Sequence, residues 1–429
     1  MFKDLLSIDK PHFGKAPFFA LFRPHFLLYG ALAALMLAAF IYIDYYIDYF
    51  GFTPTIPVRS IDSLLALGAF WLLLTLPRSA LFWAGFFTGL LWFYWIAFSF
   101  RYYDVAWLIP FMLLFVALAY GLFFWIVGLF DHPLPRALLL LGFSYFHPLS
   151  FNWFIPELSL IHTFFGIEKW RFALLLLALV IAASLRGWWR LLALVALIGA
   201  VDPRYDRHLP LPATRVMLTD SMVPQEKKWN PDYLPETIEN NLATILQAIS
   251  EKYDMVVLDE SVFPMFLNTD LNLTRKLQDL SHDIVIVAGA LYSDGKNAYN
   301  STYYFDKGKI YIANKVILVP FGEEIPLPRF LAKWINDHFY NGAEDYHTAA
   351  RPVDLKLSTG TYRNAICFEA TREELFTGDP AQMIAVSNNA WFTPSIEPTL
   401  QKLLLEYFGK RHHTVIYHSA NHGISTIIR

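Results

Sequence analysis

Val105 to Phe130 reads VAWLIPFMLLFVALAYGLFFWIVGLF, a run without a single charge. As a helix rising about 1.5 Å per residue, it is long enough to cross the roughly 30 Å of hydrocarbon in a bilayer. Working outward, further apolar runs occupy His25 to Ile43, Ile61 to Leu76, Ala80 to Phe100, Ala137 to Phe154, Phe172 to Leu185 and Trp188 to Val201. The reading is an N-terminal polytopic α-helical membrane domain of about seven spans. A cleavable signal peptide is the rival reading of the start. Met1 to Pro24 is too long and too mixed for its leading region, and no small-residue cleavage site follows Ile43.

Composition agrees: 55% of residues are hydrophobic and only 17% charged, against roughly 25% charged in soluble domains. A net charge of -3 and a pI near 6.5 argue against nucleic acid as a partner, because phosphate binding needs clustered Lys and Arg. The single cysteine excludes an internal disulfide, so the compartment cannot be read from bridges.

Orientation follows from cations in short loops. Lys3, Lys10, Lys15 and Arg23 precede the first run, Arg78 lies between the second and third, and Arg186 and Arg190 bracket the turn between the sixth and seventh. With seven spans all of these share one side, and Arg136 joins them. The N-terminus is then cytoplasmic, and everything after Val201 emerges on the outer face. Arg101 and the Lys169/Arg171 pair fall on the opposite side, so the bias is a majority and not unanimous.

Beyond Asp202 short β-branched runs alternate with polar helical stretches. Arg215 to Leu218, Met255 to Leu258, Ile284 to Ala288, Tyr303 to Phe305, Asn364 to Phe368, Met383 to Val386 and Val415 to Tyr417 read as buried strands. Pro235 to Tyr253 and Thr399 to Arg411 read as helices. Such alternation means a layered α/β domain.

Three polar residues stand at strand ends, where open α/β sheets place their sites: Glu260, Lys315 and Cys367. Together they offer a thiol nucleophile, a carboxylate to take its proton and an ammonium to hold developing negative charge. Each also has an ordinary reading. Cys on an apolar strand is equally a small core residue, and Glu or Lys at a strand end is equally a solvated charge. Residue chemistry leaves both readings open.

The flanking words favour the first. Pro224-Gln225-x-x-Lys228-Trp229, Asp259-Glu260-Ser261-x-x-Pro264, Tyr299-Asn300-Ser301, Asn314-Lys315-x-x-Leu318-Val319-Pro320-Phe321-Gly322-Glu323, Ile366-Cys367-Phe368-Glu369 and Ser387-Asn388-Asn389-Ala390-Trp391-Phe392 follow one another in the chain. From Arg215 to Gly423 the chain resembles the apolipoprotein N-acyltransferases, membrane members of the nitrilase (carbon-nitrogen hydrolase) superfamily. Phe82-x-x-Gly85-x-x-x-Gly89 with Trp95 also looks like that family's third span.

The resemblance implies an αββα nitrilase-like sandwich and a catalytic Glu260, Lys315 and Cys367. It implies Glu323 as an auxiliary carboxylate, with Glu324 the rival that the Phe-Gly-Glu word sets aside. It also gives Trp229, Asn300 and Glu369 to substrate handling or site support, where packing and capping are the alternatives. Asn388, Asn389 and Trp391 would line the site. No metal and no cofactor are implied. His412, His413, His418 and His422 lack HExxH spacing, and the many aromatic residues near the ends of apolar runs read as interfacial anchors.

Two departures stand out. Phe368 occupies a position where the family usually has Tyr, and the chain stops at Arg429, where family members usually continue with more strand and a final membrane helix. A missing edge strand is therefore expected.

The expected organisation is a cytoplasmic segment 1–24, a transmembrane domain 25–201 and a periplasmic catalytic domain 202–429 in a bacterial inner membrane. The implied activity moves an acyl chain from a membrane phospholipid, through a Cys367 thioester, to the α-amine of a diacylated lipoprotein. The alternatives are a membrane-tethered amidase or nitrilase, and a degenerate homologue that only binds lipoproteins.

Overall fold

The computed structural model describes residues 21–52, 55–103, 105–148, 151–204, 208–320, 322–324 and 346–429. Lys3, Lys10 and Lys15, which carry much of the orientation argument, and Phe321 lie outside the described residues.

Every apolar run becomes helical: α1 Pro24–Phe50, α2 Ile56–Thr75, α3 Arg78–Phe93, α4 Ile109–Val127, α5 Pro133–Phe143, α6 Lys169–Ser184 and α7 Leu191–Ala200. Among the described residues four stretches are long and apolar enough to span: Pro24–Phe50, Ile56–Thr75, Arg78–Tyr102 and Ala106–Val127. The count of about seven is not confirmed: four helices have spanning length, and α5, α6 and α7 are shorter. α5 accounts for the largest difference. The expected Ala137 to Phe154 run stops being α-helical at Phe143. Pro148 disfavours α geometry in the residue before it, and beyond it Asn152 and Trp153 turn inward, where both are buried.

Packing explains the glycine word in α3. A Cβ on Gly85 would lie 2.1 Å from the Tyr120 carbonyl oxygen, and one on Gly89 would lie 2.9 Å from that of Val116. These glycines let the α3 and α4 backbones touch, as small residues do between membrane helices. The opposite face of α4 carries exposed Phe111, Leu114, Phe115, Leu118 and Leu122, a surface suited to lipid. Arg136 is buried because it caps α2, its guanidinium donating to the carbonyls of Leu74 at 3.1 Å and Leu76 at 2.6 Å.

The remaining chain builds two sheets. The first contains β1 Val216–Leu218, β2 Met255–Val257, β3 Phe263–Phe266, β4 Val285–Ser293, β5 Ala298–Asp306 and β6 Lys309–Asn314, in the order β1-β2-β4-β5-β6 with β3 also paired to β4. The second contains β7 Asp354–Leu357, β8 Gly360–Ile366, β9 Gln382–Asn388, β10 Val415–Asn421 and β11 Thr426–Ile428, in the order β11-β10-β9-β8-β7. β11 pairs antiparallel with β10. β11 forms that edge of the second sheet.

Alternation along the strands fixes the layers. Met255, Val257, Val285 and Val287 meet Ile366, Ile384, Val386 and Tyr417 between the sheets. Val256, Leu258, Ile286 and Ala288 face outward against Leu242 and Ile245 of α9 (Leu234–Ser250) and Leu273 and Leu277 of α10 (Leu271–Leu280); a short α8, Gln225–Lys228, precedes α9. On the far side Ala365, Met383, Ala385 and Ile416 pack on α11, Glu397–His412. The result is the expected αββα order, and α11 has a second duty. Its apolar residues belong to the same core cluster as α1, α2, α3 and α6.

Charges lock that junction. The Lys402 ammonium of α11 lies 2.8 Å from Asp44 and 2.7 Å from Asp48 of α1, while His162 lies 2.8 Å from Glu406 and 3.3 Å from Asp44. The α/β half therefore docks on the membrane half through a shared interior.

Candidate active site

Glu260 follows β2 in a chain that crosses β4 closely. A Cβ on Gly289 would come within 2.4 Å of the Ser261 nitrogen and 2.7 Å of the Glu260 Cα, so only glycine permits the approach. Lys315 follows β6 and is fully buried. Cys367 follows β8 with φ of 55°, a left-handed conformation that is costly for a side chain with a Cβ. That sharp turn leaves the thiol half-buried at the top of the sheet.

A hydrogen-bond ring joins the carboxylates. Asn300 Nδ2 donates to Glu260 Oε1 at 2.8 Å and to Glu323 Oε1 at 3.0 Å. Lys315 Nζ lies 2.7 Å from Glu323 Oε2 and 3.8 Å from Glu260 Oε1. Glu323 also accepts from the Val319 amide at 2.9 Å, which fixes its loop. Glu369 ties the lysine and cysteine loops together: it accepts from the Val316 and Ile317 amides at 2.7 and 3.0 Å and from the Ile366 amide at 2.9 Å.

Burial sets the electrostatics. It pushes the Cys367 thiol well above its ordinary range, the Glu260 charge pushes the same way, and Lys315 opposes both. Burial also raises Glu260, with Glu323 adding to the rise and Lys315 and Asn300 countering it. For Lys315 burial alone would lower the pKa; Glu323, Glu260 and the thiol outweigh it and hold the ammonium charged. Burial lifts Glu369 to about 7. A thiol raised in this way ionises less readily than a free one, so attack through it calls for a base beside it.

The other expected residues divide. Asn388 donates to Gln225 at 2.9 Å and accepts from Asn421 at 2.9 Å. Asn389 donates to Glu397 at 2.7 and 2.9 Å. Trp391 stacks on Tyr103 with centroids 5.7 Å apart and meets Tyr102 edge-on. Trp229 stands exposed past the end of α8, and the hydrogen-bond ring does not include it. Phe368 packs parallel to Phe151 at 6.2 Å and near Trp153. Its ring fills an aromatic stack at the position where the family usually has Tyr. Of the four histidines, His412 pairs with Asp379 and His418 with Ser387.

Three groups escaped the sequence reading. Glu397, buried at the start of α11 with its pKa lifted to about 8 by burial, adds to the field on the thiol. Tyr346 feels both Glu323 and Glu260. Lys228 pairs with buried Asp259 at 3.2 Å. Only Lys228 and Asp259 carried a signal, since both stand inside the quoted words.

Fold and site together define a class: an integral membrane protein whose helices carry an αββα domain with Glu260, Lys315 and Cys367 at its strand ends. Residues 25–203 match the family model described as the apolipoprotein N-acyltransferase integral membrane domain. The chain is 41% identical over 411 residues to an apolipoprotein N-acyltransferase of Wolinella succinogenes, covering 95% of this chain and 97% of that one. It is 36% identical over 401 residues to one of Helicobacter pylori, covering 92% and 94%. Among solved structures, Nit3 of Saccharomyces cerevisiae, from the nitrilase superfamily, aligns with a TM-score of 0.35 at 17% identity over 48% of this chain and 75% of its own. The chain belongs to the apolipoprotein N-acyltransferase family.

Proposed function

We propose that the protein carries an acyl chain from a membrane phospholipid to the α-amine of a diacylated lipoprotein through a thioester on Cys367. One observation carries this reading furthest: the cysteine turn is gripped from the membrane half. Asn152 donates to the Thr371 carbonyl at 2.5 Å, Trp153 donates to the Thr371 hydroxyl at 2.8 Å, and Phe151 lies on Phe368. The turn that carries the thiol is thus packed against the half of the protein that holds the apolar helices. A small soluble amide would need no such approach.

In this reading Glu260 takes the Cys367 proton and the thiolate attacks an ester carbonyl of the phospholipid. Lys315 stabilises the oxyanion. The tetrahedral species collapses, the C–O bond breaks, and Glu260 returns the proton to the departing lysophospholipid alkoxide. The lipoprotein amine then attacks the thioester, and Glu260 takes its proton and passes it to the leaving thiolate. Glu323 and Asn300 hold Glu260 and Lys315 in register, and Glu369 holds the two loops. Asn388, Asn389 and Trp391 belong to the wall the substrates meet, and Trp229 to its rim.

The same reading assigns 1–24 to the cytoplasm, 25–201 to the bacterial inner membrane and 202–429 to the periplasm, with seven passes. Helix ends support the alternation. Asp48 near the end of α1 pairs with Lys402, Arg101 beyond α3 meets Thr393, Ser144 after α5 meets Lys169 before α6, and Val201 after α7 bridges Phe165. Of these, the ends of α1 and α3 adjoin the α/β half, through Lys402 and Thr393.

Incubation with labelled phospholipid, followed by a synthetic diacylated lipopeptide, tests the proposal. Label should appear first on Cys367 as a thioester and then on the peptide amine. Release only as free fatty acid would replace the reading with a hydrolase, and no label on protein or peptide with a degenerate binder. A reporter active only in the periplasm, fused after Arg429, should be active.

A further inference from the structure

Arg101 breaks the charge bias of the loops. So do Lys169 and Arg171, but the fold neutralises those two: Lys169 pairs with Glu157 at 2.8 Å and Arg171 with Glu168 at 3.1 Å. Among the described residues Arg101 has no carboxylate within ion-pair distance. Its Nε donates to the Phe98 carbonyl at 3.0 Å and its Nη2 to the Thr393 carbonyl at 2.9 Å. The guanidinium also lies 4.7 Å from the Phe98 ring centroid and 5.6 Å from that of Tyr102. It is exposed, yet held by four groups.

Its place relates it to the candidate site. Thr393 ends the loop that begins with Asn388 and Asn389, and Tyr102 donates to the Ala390 carbonyl of the same loop at 3.3 Å. Trp391 of that loop stacks on Tyr103. Behind the loop, Phe392 packs on Trp95 at 4.9 Å, Trp95 on Trp153 at 5.1 Å, and Trp153 on the Phe368 ring beside the thiol. Arg101 therefore stands where the third membrane helix has turned into a 3-10 segment, Tyr94–Tyr102, among the aromatic side chains that favour the headgroup level of a bilayer. Glu226 is the acidic group facing this region, through its field on Tyr102.

We infer that Arg101 binds the phosphodiester of the acyl donor and so sets its preference for a phosphate-bearing lipid. This rests on the acyl-transfer reading above. A guanidinium fixed by two carbonyls and flanked by rings is pre-organised, and it keeps N–H donors that suit phosphate oxygens. Binding the headgroup there would leave the ester carbonyls, a few bonds away, to extend toward Cys367.

Two donors with the same acyl chain test it in the full-length protein: a phosphoglyceride and an uncharged nitrophenyl ester. Acyl-enzyme formation is followed in wild type, Arg101→Gln and Arg101→Lys. A lost charge-assisted hydrogen bond predicts a fall of about 10- to 100-fold for Arg101→Gln with the phosphoglyceride, a smaller fall for Arg101→Lys, and near wild-type rates for both with the nitrophenyl ester. Equal losses with both donors would reduce Arg101 to a clasp on the 388–393 loop and overturn the inference, as would an undiminished rate with the phosphoglyceride. A wild-type protein acylated by the nitrophenyl ester but by no phospholipid would overturn the donor assignment as well.

Discussion

Asn300 gives one amide nitrogen to two acids: its Nδ2 donates to both Glu260 and Glu323, at 2.8 and 3.0 Å. Without it, buried Glu260 and partly buried Glu323 would face the Lys315 ammonium with no amide between them.

Asn300→Ala should therefore raise the pKa of Glu260, because the amide bond favours the ionised form. The base is then protonated over a wider range. The acid limb of the acylation profile should move to higher pH, with a loss of roughly tenfold near neutrality. Acyl-enzyme formation measured against pH decides it, and an unmoved limb would detach Asn300 from the proton carrier.

Lys315→Met and Glu260→Gln should move the Cys367 thiol in opposite directions. The lysine charge lowers its pKa and the glutamate charge raises it. Alkylation by a small reagent should need a higher pH in Lys315→Met and a lower pH in Glu260→Gln. Both should nonetheless suppress acylation from phospholipid, Lys315→Met by about 10²–10³, the typical worth of one oxyanion donor. Shifts of the same sign would break the division of roles.

Glu369→Gln removes one of the two oxygens that serve three backbone amides. At least one buried N–H is left without its acceptor, at a cost of about 1–3 kcal/mol. Thermal unfolding should show that loss, and acyl-enzyme formation should fall at least tenfold as the lysine and cysteine loops part. Unchanged unfolding with unchanged acylation would mean that the clamp is ornamental.

The junction between the halves should weaken in alkali. Burial alone would lower the pKa of His162, but Glu406 and Asp44 outweigh it and raise it from 6.5 to about 9. A raised histidine stabilises fully below its unfolded value and loses that contribution as pH climbs through the folded one. Stability should decline between about pH 6.5 and 9, by at most on the order of 3 kcal/mol. Glu406, held near 2 chiefly by His162 against the rise that burial imposes, stays charged throughout. Thermal unfolding across this window should slope in wild type and flatten in His162→Gln; parallel slopes would place the titration elsewhere.

Much of this was legible in the chain. Strand runs such as Met383 to Val386 alternate between faces that the fold uses, and the words around Glu260 and Lys315 mark residues that the fold sets 3.8 Å apart. Short strands such as Asp354–Leu357 escaped because few residues leave no period to read. Glu397 was invisible for another reason: its neighbours Ile396 and Pro398 say nothing of Asn389, and only the docking of α11 brings the two together. Helix length was likewise hidden. Apolar composition marked seven segments, but where each stops depends on what the following loop must grasp.

Lys402 faces one further consequence. Its ammonium is nine-tenths covered and its two counter-ions, Asp44 and Asp48, come from the first membrane helix. An α/β half severed near Asp202 would strand that cation and bare the oily flank of α11. It would come away as a wounded fragment prone to clump, not as a free-standing soluble catalyst. For this protein the apolar helices are scaffolding that the α/β half is built around, so the two must be made, purified and inherited together.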